Sequence, residues 1–492
     1  MKKLLTFILC ASFSLGINAA DFFVDGAIAA SGDGLSWETA KKTIPEALTL
    51  AKTNNATSQD DNIYVKAGTY MAAAAATVPL DLTHVDCTGI SLFGGYAAAS
   101  AGTDITQRNI AINASIVDGQ ATANVVKIAQ RVTLDGFTIQ NGKDNTYTQN
   151  AVAAGVAVSH ASAVVSNCII KNNSRTTANN KASAGGVFIK AGTIRDSEIY
   201  GNSTTHANSQ GGGIQITGGT IERCKIYNNT AGATGQVGGI LVAKATATIN
   251  VYALLDNNIT LANNVIYNNA YQGIKVSIIT GETKTVSLIN NTIVNNASIC
   301  AFGGDGIAQL TATNNILYNN GGSEVLAGTA TYNAIQAESA SGTANIALTA
   351  GSQATLFTAP TASAGIIANA SSNWMPISGS GLYNVGNNAA AVGSTDIAGN
   401  ARIQQTTIDL GAYETNLITT LTKLTKNNIS KIYAKQGGMV IENATAYEIY
   451  TMDGHLQKSG KLENNFVPMA NGMYLVKTLV GTNNEVTKVM VR

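Results

Sequence analysis

A seven-residue phrase recurs through the middle of the chain: "CIIKNNS" at 168–174, "SEIYGNS" at 197–203, "CKIYNNT" at 224–230, "NVIYNNA" at 264–270, "NTIVNNA" at 291–297 and "NILYNNG" at 315–321. Aligned on the apolar residue, with "FTIQNG" ahead of them, the copies place Ile139, Ile170, Ile199, Ile226, Ile266, Ile293 and Leu317 at spacings of 31, 29, 27, 40, 27 and 24 residues. A second phrase keeps step with the first. It is a glycine followed by alternating apolar residues: "GVAV" (155–158), "GVFI" (186–189), "GIQI" (213–216), "GILV" (239–242) and "GIKV" (273–276). Self-similarity at such a period means a solenoid, an array or a propeller. Period-2 alternation inside each phrase reads as strand. The units are mostly too short for a four-stranded propeller blade, which leaves an all-β right-handed parallel β-helix, with coils stacked about 4.8 Å apart.

Stacking places equivalent residues above one another. The isoleucines become an inward aliphatic column, and Asn173, Asn202, Asn229, Asn269, Asn296 and Asn320 become a structural turn ladder, since an amide can donate and accept along its own column. The window "GTIRDSEIY" (192–200) stacks on "GTIERCKIY" (219–227), which sets Arg195 beside Glu222, Asp196 beside Arg223 and Glu198 beside Lys225. Opposite charges side by side stabilise such a register. Cys168 and Cys224 share a slot two coils apart, with Ser197 between them. That separates them by roughly 9–10 Å, beyond disulfide reach, so free, buried thiols are expected.

Composition narrows the class. The 492 residues exceed one compact core, and the charge is sparse and balanced, with 12 % charged residues and a net charge of +1. That excludes a basic nucleic-acid stripe, so no nucleic-acid partner is expected. Gly is abundant (49) and Pro scarce (5), as tight turns between hydrogen-bonded strands require. The N-terminus reads as a signal peptide over 1–20: Lys2 and Lys3, an apolar run from Leu4 to Leu15, then small residues before Asp21. No later stretch is apolar enough to span a bilayer.

Ahead of the coils, Thr43 and Glu46 form a capping box with Pro45 in the first turn. Ile44, Ala47, Leu48 and Ala51 share one face, which predicts a capping helix across the first coil. "FFVDG", "GDGLSWETAKKTIPEAL" and "IYVKAGTY" together resemble the opening of secreted bacterial β-helix proteins of the pectate-lyase-like superfamily. "GNARIQQTTIDLGAYE" (399–414) resembles the closing motif of their choice-of-anchor group. The two motifs bracket the β-helix with its caps as residues 21–414, followed by a linker at 415–428.

From 429 to 492 the pattern changes. "AYEIYTMDGHLQKSGKL" carries strands around an Asp453-Gly454 turn, and "NGMYLVKTLVGTNNEVTKVMVR" gives two more. With its basic end, this stretch resembles the C-terminal sorting domain of the Bacteroidetes type IX secretion system. That resemblance implies a small β-sandwich, a secretion-machinery partner, and release or attachment at the outer-membrane surface.

Insertions after the Asn pair leave the helix at one corner and stack there: Lys143, Asp144 and Tyr147 in the first, Arg175 and Lys181 in the second, His206 and Gln210 in the third. Function gathers on such loops, so these seven are the ligand-binding candidates. Two readings stay open. One is a non-catalytic module that binds polysaccharide or host and extracellular-matrix glycans at the cell surface. The other is a polysaccharide lyase or glycoside hydrolase. Resemblance to β-helix lyases casts Lys143, Arg175, Lys181 or His206 as base or carboxylate-neutralising group, with Ca2+ as the cofactor in that case alone. No carboxylate cluster suited to calcium stands out, nor the two placed acids of a glycosidase, nor a phosphate loop or nucleophile elbow. No metal or other cofactor is expected for the binding module.

Overall fold

A computed structural model describes residues 19–491 except 56–59, 75–76, 98–103, 105–106, 145–151, 177–182, 206–210, 233–236, 243–257, 278–284, 304–308, 325, 327, 338, 368–371, 416–429 and 481–482. The chain divides into two units between Thr415 and Asn416.

Each coil of the first unit carries three short strands that pair in parallel with the coils on either side. Val156–Ser166 pairs with Val187–Arg195, and Ile169–Lys171 pairs with Glu198–Tyr200, which pairs with Lys225–Tyr227. The register is the one the phrases imply: Ile170 opposes Ile199, Ile226 opposes Ile266, and Ile293 opposes Leu317. These side chains are fully buried, and each contributes roughly 2 kcal/mol of apolar burial. The capping helix forms at Ile44–Asn55. Glu46 accepts from the Thr43 amide at 3.0 Å and donates its own amide back to the Thr43 hydroxyl at 3.4 Å. Ile44, Ala47, Leu48 and Ala51 join the core of the first coils.

Two corners of each coil are left-handed. Before the third strand stand Asn167, Asp196, Arg223, Asn263, Asn290 and Asn314; after it stand Asn172, Gly201, Asn228, Asn268, Asn295 and Asn319, all at positive φ. Asn and Gly tolerate this conformation best. The next residue turns inward as the ladder asparagine. Asn202 donates its amide N–H and its Nδ2 to Asn229 Oδ1 at 3.1 and 3.0 Å, and Asn229 does the same to Asn269. Each Nδ2 also reaches a carbonyl one coil back, as Asn229 does to Ile199 O at 2.9 Å. The glycine that opens the second phrase sits against this column. A Cβ on Gly186 would lie 2.5 Å from Gly213 O and 2.9 Å from the Asn202 amide, so only glycine fits.

A second column, at the other corner, is not apparent in the first phrase alone. The slot that holds Cys168, Ser197 and Cys224 continues as Asn264, Asn291, Asn315, Asn333 and Asn345. Asn264 donates Nδ2 to Asn291 Oδ1 at 2.9 Å, and Asn315 does so to Asn333. The four described cysteines are free and buried. Burial pushes the Cys168 thiol up to about 12 and raises that of Cys224 as well.

Residues 357–367 and 372–413 return along the outside of the third-strand face. Phe357, Trp374, Leu382, Leu410, Ala412 and Tyr413 pack on Val265, Tyr267, Val294, Ile316 and Tyr318. The left-handed corner asparagines point outward and hold this strap by its backbone. Asn228 donates to Ile367 O at 2.8 Å and accepts from Ile367 N at 3.2 Å; Asn268 donates to Ser363 O and Gly365 O; Asn290 donates to Asp409 O. The closing motif lies within the strap.

The second unit is a β-sandwich of two antiparallel sheets. One contains Lys431–Lys435, Gly438–Glu442 and Phe466–Pro468. The other contains Ala446–Thr451, Leu456–Lys461, Gly472–Val480 and Asn483–Val491. Met439, Ile441, Ile449, Val467, Val476 and Val489 form their shared core. Gly454, at φ +88°, makes the expected turn.

Candidate functional site

The expected loop corner begins as a small parallel sheet just outside the ladder: Lys143–Asp144, Ser174–Arg175 and Ser203–Thr204. It does not present Asp144 and Arg175 to solvent. Both side chains are fully buried and form an ion pair at 2.5 Å. Burial lowers the affinity of the Arg175 guanidinium for its proton, and the Asp144 carboxylate opposes that shift. A group that must touch substrate is therefore not offered by either side chain, because stacking of the two coils closes the pair between them. Lys143 is half-buried in the same small sheet. Tyr147, Lys181, His206 and Gln210 lie outside the described residues. Among the described residues no group of three or more His, Cys, Asp or Glu side chains is placed to hold a metal ion.

The charge pairs of the aligned window form in part. Arg223 bonds Asp196 through Nε at 2.6 Å and Nη2 at 2.9 Å, and Lys225 meets Glu198 at 3.3 Å. Arg195 and Glu222 are register partners, but Glu222 pairs with Arg223, the next residue, at the left-handed corner. The Arg223 guanidinium bridges both Glu222 and Asp196, and Arg195 stays 47 % exposed.

A different surface collects the accessible chemistry. On the third-strand face the residue after each core isoleucine points outward, giving Lys171, Tyr200, Tyr227 and Tyr267 in register. Tyr200 and Tyr227 stack at 4.8 Å and 12°, and Tyr227 and Tyr267 at 4.9 Å and 16°. The column ends on the strap, with the Trp374 ring 5.8 Å from Tyr267. The strap covers Tyr267 but leaves Tyr200 and Tyr227 half-buried. Beside them Glu198 (38 % exposed) accepts from Tyr227 Oη at 3.0 Å and pairs with Lys225 (44 % exposed). Burial, then the Glu198 charge, raises the Tyr200 and Tyr227 phenols above their ordinary range, so both stay protonated near neutrality. The result is a shelf with an aromatic column, a balanced ion pair, Lys171 and the exposed Asn172. Sequence reading registered Glu198 and Lys225 as a coil-to-coil pair. The third-position tyrosine of "EIY", "KIY" and "VIY" was the signal for the rest.

The family model described as a right-handed β-helix region matches residues 154–346. The first unit is a right-handed parallel β-helix. Among solved structures, the chain is similar to the pectate lyase Pel9A at 14 % identity, with 81 % of this chain and 97 % of that chain covered and a TM-score of 0.44. No curated protein matches.

Proposed function

We propose that this protein is an exported binding or adhesion module without catalytic activity, whose ligands are glycans or extracellular matrix. The observation behind it is the open shelf at Tyr200 and Tyr227. It joins aromatic surface to polar groups of balanced charge, a set suited to binding. The burial of Arg175 against Asp144 weighs on the same side, since it removes one cation from the lyase reading. Export is supported by the N-terminal apolar segment. The likeness of the last 64 residues to a type IX sorting domain, here a β-sandwich, supports passage through that machinery to the outer-membrane surface.

The test is a panel of uronate and neutral polysaccharides and matrix proteins, scored for binding and for unsaturated products or new reducing ends. Binding without turnover, weakened by Tyr200→Ala, is the expected result. Turnover that disappears in Lys143→Ala, Lys181→Ala or His206→Ala would replace this reading with the lyase or hydrolase.

A further inference from the structure

Asp61 stands just ahead of the strand Asn62–Lys66 and is fully buried. Its Oδ1 accepts from the Ala20 backbone N–H at 2.8 Å, and Asn54 Nδ2 donates to Oδ1 and Oδ2 at 2.8 and 3.0 Å. Both donors are neutral. Asp60 pairs with Arg131 and Asp25 with Lys66, but among the described residues no cationic side chain pairs with Asp61. Residues 56–59, the undescribed stretch beside it in sequence, are Ala, Thr, Ser and Gln, without a cation. A buried carboxylate with no cation is costly. Its surroundings add to that cost, because Asn54 lies in the last turn of the capping helix Ile44–Asn55, where the helix dipole presents its negative end.

The group that touches this carboxylate can itself supply the missing charge. Ala20 has an amide nitrogen only while Ala19 precedes it. Hydrolysis of the Ala19–Ala20 peptide breaks that C–N bond; water gives its hydroxyl to the Ala19 carbonyl and its hydrogen to the Ala20 nitrogen. The proton shed by the new carboxylic acid then makes that nitrogen an ammonium at neutral pH. A positive charge with three N–H donors takes the place of one neutral N–H, and charge-assisted hydrogen bonds are the stronger kind.

The rest of Ala20 belongs to the fold. Its carbonyl accepts from the Asn62 amide at 2.9 Å, its side chain packs against the core, and the strand register begins at the next residue, with Asp21 opposite Asn62. Ala19 is exposed. Small residues at 19 and 20 permit signal-peptidase cleavage after either one, but cleavage after Ala20 would remove both the Asn62 acceptor and the Asp61 partner. We infer that the mature protein begins at Ala20, one residue earlier than a leader over 1–20 gives, and that its new α-ammonium forms an ion pair with the buried Asp61 carboxylate. Removal of the leader thereby completes the N-terminal cap. The inference rests on the export reading above.

The test begins with the full precursor, produced in a Gram-negative host, and with the intact mass and N-terminal sequence of the exported product. A first residue of Ala20 is expected. A first residue of Asp21 or beyond overturns the inference and leaves export standing; a precursor left uncut overturns both. Residues 20–492 are then compared with the same chain acetylated at its N-terminus and with residues 18–492. By urea unfolding, the folding equilibrium constant of the helix transition is expected to be about tenfold higher with the free Ala20 amine than in either other chain. The gap should close in Asp61→Asn. Equal stability of the three chains, or a gap that survives Asp61→Asn, overturns the ion pair. If Asp61→Asn does not fold, the acetylated chain decides, since it changes the charge and leaves Asp61 in place.

Discussion

An asparagine side chain holds a donor and an acceptor in one plane, and this chain uses the residue in two different ways in adjacent positions. The second Asn of each pair is buried: Asn229 accepts twice from Asn202 and donates to Ile199 O and Asn269 Oδ1. The first, such as Asn228, adopts the left-handed turn and reaches outward to the strap. Replacing the buried member strands several polar groups at once. Asn229→Ala is expected to cost about 3 kcal/mol, measured by urea unfolding of the helix. A loss below about 0.5 kcal/mol would mean that water replaces the rung. The buried column was legible in the sequence because it recurs at the coil period. The outward role was not, because its partners lie 66 to 139 residues away in a segment without the repeat. Arg175 and Asp144 were misplaced for a related reason. A charged pair inside an insertion looks like a solvated tip until the stacking of two coils encloses it.

At the level of elements, the capping helix, the coil register and the sandwich hairpins follow from local signals: a capping box, an apolar period, an Asp-Gly turn. The strap does not, because nothing in "GNARIQQTTIDLGAYE" states which face of the helix it will cover. The ends of the coil stack carry their own chemistry. Glu324, 1 % exposed, sits where the Asn ladder stops and accepts from the Cys300 amide at 3.1 Å and from the Asn320 side chain. Burial pushes its carboxyl up to about 7 against an ordinary 4.5. The folded state therefore holds this proton more tightly than the unfolded chain. The stabilisation is full below about pH 4.5 and is lost as pH rises through about 7. Glu324→Gln should remove that part of the pH dependence. Relative to the parent, the variant gains on the order of 3 kcal/mol between pH 5 and pH 8, read from unfolding at the two pH values. Glu414, whose carboxyl burial also raises to about 7, keeps a residual slope of the same sign. A parent and variant that respond equally to pH would remove Glu324 from the explanation.

The chain divides at Thr415 into two units, each with buried apolar residues of its own. A chain ending at Thr415 should keep the β-rich circular dichroism and the melting temperature of the helix transition seen in the full chain. A large fall would show that the second unit supports the first. The ladder adds a property that belongs to the molecule as a unit. Every link into a ladder carboxamide oxygen points the same way: the backbone N–H, and in the Asn residues the side-chain N–H, donate to the Oδ1 of the next coil, from Gly142 to Asn320, while each Nδ2 also reaches back to a carbonyl. The column of amide-to-amide links is therefore directional, opening on the Gly142 amide at one end and ending beside the Glu324 carboxyl at the other. Such a column has no preferred number of links. Whole coils can be duplicated or deleted in its interior without altering the chemistry at either terminal, which makes the length of this protein a quantity that evolution, or an engineer, can adjust in steps of one coil.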